Sequence, residues 1–564
     1  MDKLEFGMCF IIFVLFSYAV ADSGTWNQTK FEEQVVEYIN SGLKCHNNPG
    51  FSVAVVKNGS VVLTRGFGYK TLDKSEPVTE NTLFGIASLT KAFTATLILK
   101  QIEDNETMSL STTLRSLFGR DDIFKSELRS RYATIEDLLA HRIGLPSYNY
   151  IRYDDTMTRR NLIDRIKYLD EKGGFRTSFN YSNLMYGMVT YLSEIIGGKS
   201  WEELIAEKIF SPLGMTSSTF ASIDDPKDLD LATGHMESDF GDALFPVPFE
   251  LSRHWGELCG SGCILSNAVD MSKWMMFHLN NKEHVKYTTV LKPESLKAAH
   301  TSHNNRTRTA RAPYYSKPST PVTLSERNYG LAWTLGYYRG FPMWTHSGST
   351  YGYVSLITLL PDKNVGVFTT MTGPDPGILF RTNIHTYIAD LALGVEPWMN
   401  RSTVCTFPEP WYNKIKKVLK ERPKTDIPAI RVLDKYTGVF KNHAYGSIDV
   451  YKNKTSSLLM VKYGFAHFIL YPQSSSDHFY AEGFGLLNNI QHISKFIFKF
   501  DEDQMVRNLT IPGFESNNPP VFQRITLHED RSPTSHSGER SIYISDIAMM
   551  SIIGLLYNIK TLNW

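Results

Sequence analysis

The chain has 564 residues, 42% apolar and 21% charged, which is enough for two or three domains and excludes wholesale disorder. Its 59 Lys and Arg stand against 58 Asp and Glu. That balance excludes a whole-protein field that would draw in nucleic acid or an anionic membrane.

The first predicted element is a signal peptide over residues 1–21. Met8 to Val20 is a short apolar run, and Ala19-Val20-Ala21 offers the small-x-small pattern of a cleavage site before Asp22. The run is shorter than the roughly 20 residues a spanning helix needs, so cleavage and secretion are expected and no membrane anchor. Trp26 to Leu43 then has helical spacing, with Phe31, Val35, Val36 and Ile39 on one face. FSVAVVKNG and SVVLTRGFGYK read as a hairpin turned at Asn58-Gly59. A helix follows from about Ser88, and Asp121 to Leu279 reads as mostly helical, with glycines ending several segments.

The polar, Pro-bearing stretch Ser302 to Asn328 reads as an exposed loop. Strand character returns in NYGLAWTLGYYRG and WTHSGSTYGYVSLITLLPDKNVGVFTTMTG. Strands at both ends of a helical middle predict an α+β first domain over 22–397: an antiparallel sheet flanked by helices, with an inserted helical subdomain. Residues 398–428, rich in Pro and Lys, read as a helical connector. From 429 to 527, short β runs between turns predict a small antiparallel β domain. The tail 528–564 starts polar and ends in IAMMSIIGLLY, too short an apolar run to span a bilayer.

Past the signal stand Cys45, Cys259, Cys263 and Cys405. In an oxidising compartment they suit one or two disulfides, with three pairings open. A metal site at Cys259-x-x-x-Cys263 is the weaker alternative, since no second ligand cluster lies nearby. Asn-x-Ser/Thr sites at Asn27, Asn58, Asn105, Asn305, Asn400, Asn453 and Asn508 agree with extracellular life.

Three short patterns carry chemistry. Ser88 and Lys91 are three residues apart where the apolar helix begins, so hydroxyl and amine share a face, and a buried lysine can lose its proton and act as a base. Tyr181 and Asn183 alternate in FNYSNLMYG, and a phenol beside an ammonium can be held partly as phenolate. In WTHSGSTYG, His346 precedes Gly348, which permits close backbone approach, and Ser349. Each pattern is weak alone. Ser41 with Lys44, Tyr38 with Asn40, and Tyr451 with Asn453 repeat the first two without other signs of chemistry.

Taken in order, S-x-x-K, Y-x-N and H-x-G resemble the serine β-lactamase and penicillin-binding protein superfamily, on the class C β-lactamase and D-alanyl-D-alanine carboxypeptidase branch. TIEDLLAHRIGLP, IFSPLGMTSSTF, LATGH, GSGCILSNAVDMSKW and YGLAW support the likeness over residues 30 to 390. The resemblance implies a β-lactamase/transpeptidase-like fold with a lipocalin-like C-terminal domain. It implies a secreted serine hydrolase cleaving an ester or amide of a small molecule or peptide through an acyl-enzyme, with no metal or cofactor. Ser88 would be the nucleophile, with Lys91 and Tyr181 sharing proton transfer. Asn183, His346, Gly348 and Ser349 would hold the substrate, and the Ser88 and Ser349 amides would form an oxyanion hole.

The chain departs from many relatives at Cys259-Gly260-Ser261-Gly262, at Ile143, and at His346 in place of lysine, which bears on the substrate more than on the fold. The competing expectations are a catalytically retired extracellular-matrix or binding protein, and a carbohydrate- or lipid-binding protein acting through the β domain. For the latter, Phe465, Phe468, Tyr471 and Phe479 are expected in the barrel core rather than at a ligand.

Overall fold

Helix α1 (Gln28–Leu43) opens the first domain, capped by Asn27, whose side chain accepts from Lys30 N at 2.9 Å. The computed structural model describes residues 26–241, 243–279, 290–306, 320–413, 419–454, 458–473, 477–490, 493–515 and 517–525. The expected signal peptide and the tail 528–564 lie outside them.

The main sheet has eight antiparallel strands among the described residues: β1 (Gly50–Lys57), β2 (Ser60–Gly68), β3 (Asn304–Asn305), β4 (Leu324–Tyr329), β5 (Thr334–Tyr338), β6 (Phe341–Thr350), β7 (Tyr353–Leu360) and β8 (Val365–Thr372). Their order is β2-β1-β8-β7-β6-β5-β4-β3. The N-terminal hairpin is thus joined, through β1 and β8, to strands some 300 residues on, with Val53 opposite Thr369. Strand alternation divides the core. Val53 and Val55 face α1 and the later helix α4 (Leu379–Leu393), packing with Phe31, Val35 and Ile384. Ala54 and Val56 face the helical region. There, helices α2 (Thr90–Glu103) and α3 (Asn183–Gly197) run through a core that includes Phe93, Leu97, Met188 and Trp274.

Two expectations are corrected. Ser302 to Asn328 is not simply an exposed loop: β3 and β4 lie at its ends, pairing Asn304 with Tyr329 and bringing Arg306 and Glu326 to the sheet's cleft edge. The connector near 398–428 shows turns and irregular backbone rather than helix in its described residues. Its prolines remove the amide donors a helix needs.

The four cysteines pair as Cys45–Cys405 and Cys259–Cys263. The first ties the end of α1 to the segment after α4; the second takes up both thiols of the weaker metal reading. No helix of the described residues is long and apolar enough to cross a membrane.

The C-terminal strands β9 (Gly438–Asn442), β10 (Gly446–Lys452), β11 (Leu459–Tyr463), β12 (Ala466–Pro472), β13 (His478–Phe484), β14 (Lys495–Phe500), β15 (Val506–Thr510) and β16 (Val521–Arg524) close into an antiparallel barrel. Alternate residues point inward: Phe440, Ile448, Val461, Phe468, Phe479 and Phe498 are almost wholly buried. Ring centroids of Phe479 and Phe498 are 5.4 Å apart, and those of Phe440 and Phe498 6.0 Å, so side chains fill the interior. That packing does not favour a barrel acting as a lipid carrier. Phe465 and Tyr471 depart from expectation, since neither is fully buried in the barrel core. Phe465, at the β11–β12 turn, instead stacks on His254 of the first domain with centroids 3.8 Å apart.

Closing a long loop with Cys45–Cys405 restricts the unfolded chain. Cys405→Ser is expected to lower unfolding free energy by about 2–4 kcal/mol in denaturant titration, leaving the spectrum of the native state unchanged.

Candidate active site

Ser88 sits in a tight 3₁₀ turn (Ala87–Leu89) that runs directly into α2. The preceding residue, Ala87, has φ 49°, a left-handed conformation that is strained for a non-glycine residue and that lifts the serine out of line with the helix. One turn on, Lys91 is wholly buried. Its Nζ lies 3.0 Å from Ser88 Oγ, 2.7 Å from Asn183 Oδ1 and 2.8 Å from the Ser261 carbonyl oxygen. Burial holds its pKa well below the ordinary lysine value. A neutral amine has two hydrogens and one lone pair. With the hydrogens given to Asn183 Oδ1 and the Ser261 carbonyl, the lone pair is left for the Ser88 hydroxyl proton.

Asn183 is the first residue of α3. Its amide is oriented at both ends, since Nδ2 donates to Asn149 Oδ1 at 3.0 Å. Tyr181, two residues earlier, packs its ring 4.7 Å from Lys91 Nζ, and Ser88 acts on the pKa of its phenol. Burial raises the phenol pKa, and the Ser88 contact and the Arg306 charge only partly offset this. The expectation of a partial phenolate is therefore corrected: burial raises the Tyr181 phenol pKa above its ordinary value, so near pH 7 the phenol keeps its proton. His141 steadies this loop, accepting Ser182 N–H on Nδ1 at 3.2 Å and Asn180 N–H on its carbonyl at 3.2 Å.

His346 stands on β6, buried. Its Nδ1 donates to the Ser347 carbonyl at 2.8 Å, so Nε2 accepts from the Tyr329 hydroxyl at 3.0 Å. Burial, with the positive charge of Arg306 adding to it, pushes its pKa down to about 3. It is neutral near pH 7, with both ring nitrogens engaged by Ser347 and Tyr329. Gly348 lies where β6 presses on the nucleophile turn: a Cβ there would come within 2.3 Å of the Ile86 carbonyl oxygen. Ser349 follows it at the cleft.

Ser88, Tyr181, Asn183, His346 and Ser349 line one cavity of about 430 Å³, a size suited to a small substrate. The structure thus gathers the predicted residues around one hydroxyl, with Lys91 beneath and Gly348 at the seam. The sequence reading missed Asn149, the Ser261 carbonyl, Arg306 and Glu326. The last two are the charged side chains of the cavity wall; Arg306 donates to Thr334 Oγ1 and stands 3.7 Å from Glu326.

The barrel braces one wall. Tyr463 donates to the Tyr150 carbonyl at 3.0 Å, and Phe514 stacks on Tyr150 at 5.0 Å, one residue from Asn149. Gly464, at φ 56°, lies so close to Tyr153 that a Cβ would fall 1.6 Å from the Tyr153 carbonyl oxygen.

The sequence profile of the family described as Beta-lactamase matches residues 35–389. This chain belongs to that family. It is 43% identical over 238 residues to Gigasin-6 of Magallana gigas, covering 42% of this chain and 78% of that one. It is 28% identical over 454 residues to an unguisins hydrolase, ungD', of Aspergillus campestris, covering 76% and 79%. Among solved structures, the octameric penicillin-binding protein homologue from Pyrococcus abyssi aligns with a TM-score of 0.53 at 22% identity, over 88% of this chain and all of that one. The last likeness concerns the fold, barrel included.

If the barrel hairpin sets the wall, Gly464→Ala should displace Tyr153 and with it Asn149. A fall in turnover on the order of 10²-fold is expected, with barrel and first domain still folded by circular dichroism.

Proposed function

We propose that this protein is a serine hydrolase that cleaves an amide or ester of a small peptide or D-amino-acid derivative through an acyl-enzyme on Ser88. The observation that carries this is the wholly buried Lys91 amine 3.0 Å from Ser88 Oγ, its other contacts being Asn183 Oδ1 and the Ser261 carbonyl and its pKa held well below the ordinary value by burial. Lys91 takes the hydroxyl proton as Oγ adds to the substrate carbonyl carbon. The tetrahedral oxyanion is held by the Ser88 and Ser349 amides, donors of a kind worth about 3–4 kcal/mol each in the transition state. Tyr181, protonated and lining the same cavity as Ser88, passes a proton to the leaving nitrogen or oxygen as its bond to carbon breaks. Lys91 returns that proton to Tyr181. A water then adds to the acyl carbon, giving its proton to the same pair, and Ser88 Oγ leaves as the hydroxyl.

The name of one relative, the unguisins hydrolase, supports hydrolysis as the activity class. Two disulfides fit an oxidising, extracellular setting, in agreement with the expected signal peptide.

A fluorophosphonate or β-lactam probe should label the purified protein once, at Ser88. Labelling that persists in Ser88→Ala refutes the nucleophile, and its absence from the wild type supports a retired scaffold. Lys91→Ala should lower turnover by about 10²–10⁴-fold, and a variant that turns over normally would remove Lys91 from the mechanism.

The lowered pKa of Lys91 also sets two pH dependences. Protonating Lys91 removes the base, so kcat/KM should rise with pH along its acidic limb and lose that limb in Lys91→Met. The unfolded chain binds a proton at this lysine up to its ordinary pKa of 10.5, whereas the folded protein resists doing so. Wild-type stability should therefore fall relative to Lys91→Met as pH drops from 10.5 toward the folded-state pKa, read by denaturant titration at several pH values.

A further inference from the structure

The loop that enters α4 carries an arrangement that no step above uses. Ile378, a β-branched residue, stands at φ 61° beside Gly377 at φ 69°, and both line the cleft cavity. Left-handed backbone is costly for such a side chain and persists only where its surroundings impose it. Asp375 imposes it here. Its carboxylate accepts from Phe380 N at 2.9 Å and Arg381 N at 3.2 Å in the first turn of α4, and from Arg381 Nε at 2.7 Å. Both side chains are almost closed to water, at 2% and 1% exposure. A buried ion pair is weak evidence of net stabilisation, so its geometry is the more informative property.

The other end of the guanidinium reaches the β6–β7 hairpin. Arg381 Nη1 donates to the Gly348 carbonyl at 3.0 Å and to the Ser355 carbonyl. The Ser355 hydroxyl in turn donates at 2.7 Å to the Ile86 carbonyl, two residues before Ser88. Strand β5 pairs with β6 only as far as Thr345, so beyond that point it does not hold the outer edge of β6.

From this geometry, and resting on the acyl-enzyme reading above, we infer that Arg381 is a positioning residue for the oxyanion hole. In a planar trans peptide the carbonyl and the next N–H point in opposite directions. By holding the Gly348 carbonyl from behind, Arg381 turns the Ser349 N–H into the cleft. Through Ser355 and Ile86 the same guanidinium ties the Ser349 peptide to the turn bearing the Ser88 N–H, and so sets the spacing of the two donors. Asp375 keeps the guanidinium in place and couples it to the strained Gly377-Ile378 wall.

The test compares wild type, Arg381→Met, Arg381→Lys and Asp375→Asn, each checked for fold by circular dichroism. An arylboronic acid, which forms a tetrahedral adduct on the serine and so reports the oxyanion donors, is titrated beside steady-state kinetics on a chromogenic ester. Arg381→Met is expected to lose boronate affinity and kcat in parallel, each by about 10²-fold, with KM nearly unchanged. Arg381→Lys, which has no planar fork to serve Asp375 and Gly348 together, should lose roughly tenfold. Boronate affinity and kcat within about twofold of wild type in folded Arg381→Met would overturn the inference, as would a rise in KM alone. Should Arg381→Met not fold, Asp375→Asn decides by the same readouts: a parallel loss supports the role, and unchanged values overturn it. A wild type that no serine probe labels would overturn the acyl-enzyme reading and this inference with it. Labelling together with unaltered boronate affinity in the variants would overturn the inference alone.

Discussion

The amine of Lys91 is wholly buried, and among the described residues its hydrogen-bond partners include no carboxylate; the first domain is arranged so that it can stay there uncharged. Leaving it charged in such surroundings would cost several kcal/mol, far more than three neutral hydrogen bonds return. The fold instead supplies partners from three separate elements: Ser88 from the turn before α2, Asn183 from the start of α3, and the Ser261 carbonyl. The helical region must press against the sheet for those elements to meet. Catalytic competence and correct packing of the domain are therefore one condition.

The departures from related sequences become intelligible from that centre. Cys259 and Cys263 close a disulfide around the turn that presents the Ser261 carbonyl to Lys91. Gly260 inside it leaves no room for a side chain, since a Cβ would lie 2.3 Å from Thr190 Oγ1. A histidine at position 346 replaces a permanent charge with a neutral ring bonded to Tyr329 and Ser347. The cleft keeps its charge at Arg306, paired across 3.7 Å with Glu326, so the polarity of this pocket is set by β3 and β4 rather than by the H-x-G strand.

Much of this was legible in the sequence because the patterns were local. The hairpin at Asn58-Gly59, the apolar face of α1 and the alternating barrel strands each follow from neighbouring residues. So does the pairing of Ser88 with Lys91 across one helical turn. The decoys separate only in three dimensions: Ser41 donates to the Glu37 carbonyl within α1, and Tyr38 donates to Asn383 in the core. What stayed hidden was non-local. Arg306 is an ordinary arginine in a polar stretch until β3 carries it to the cleft, and Ser261 acts through a backbone atom that no side-chain pattern records. Asn149 depends on a loop whose shape the barrel supports from more than 300 residues away along the chain. The protonation states of Tyr181 and His346 are also properties of burial, which the spacing of motifs does not encode.

The most direct test of the account is the charge of Lys91 itself. The protein carrying lysine labelled with carbon-13 and nitrogen-15 at the side chain, compared with Lys91→Met to assign the signal, would be titrated by NMR. The account predicts one lysine that is already neutral at pH 7, its resonance changing only at lower pH while the surface lysines change near their usual values. A Lys91 signal that stays that of an ammonium through pH 9 would contradict it.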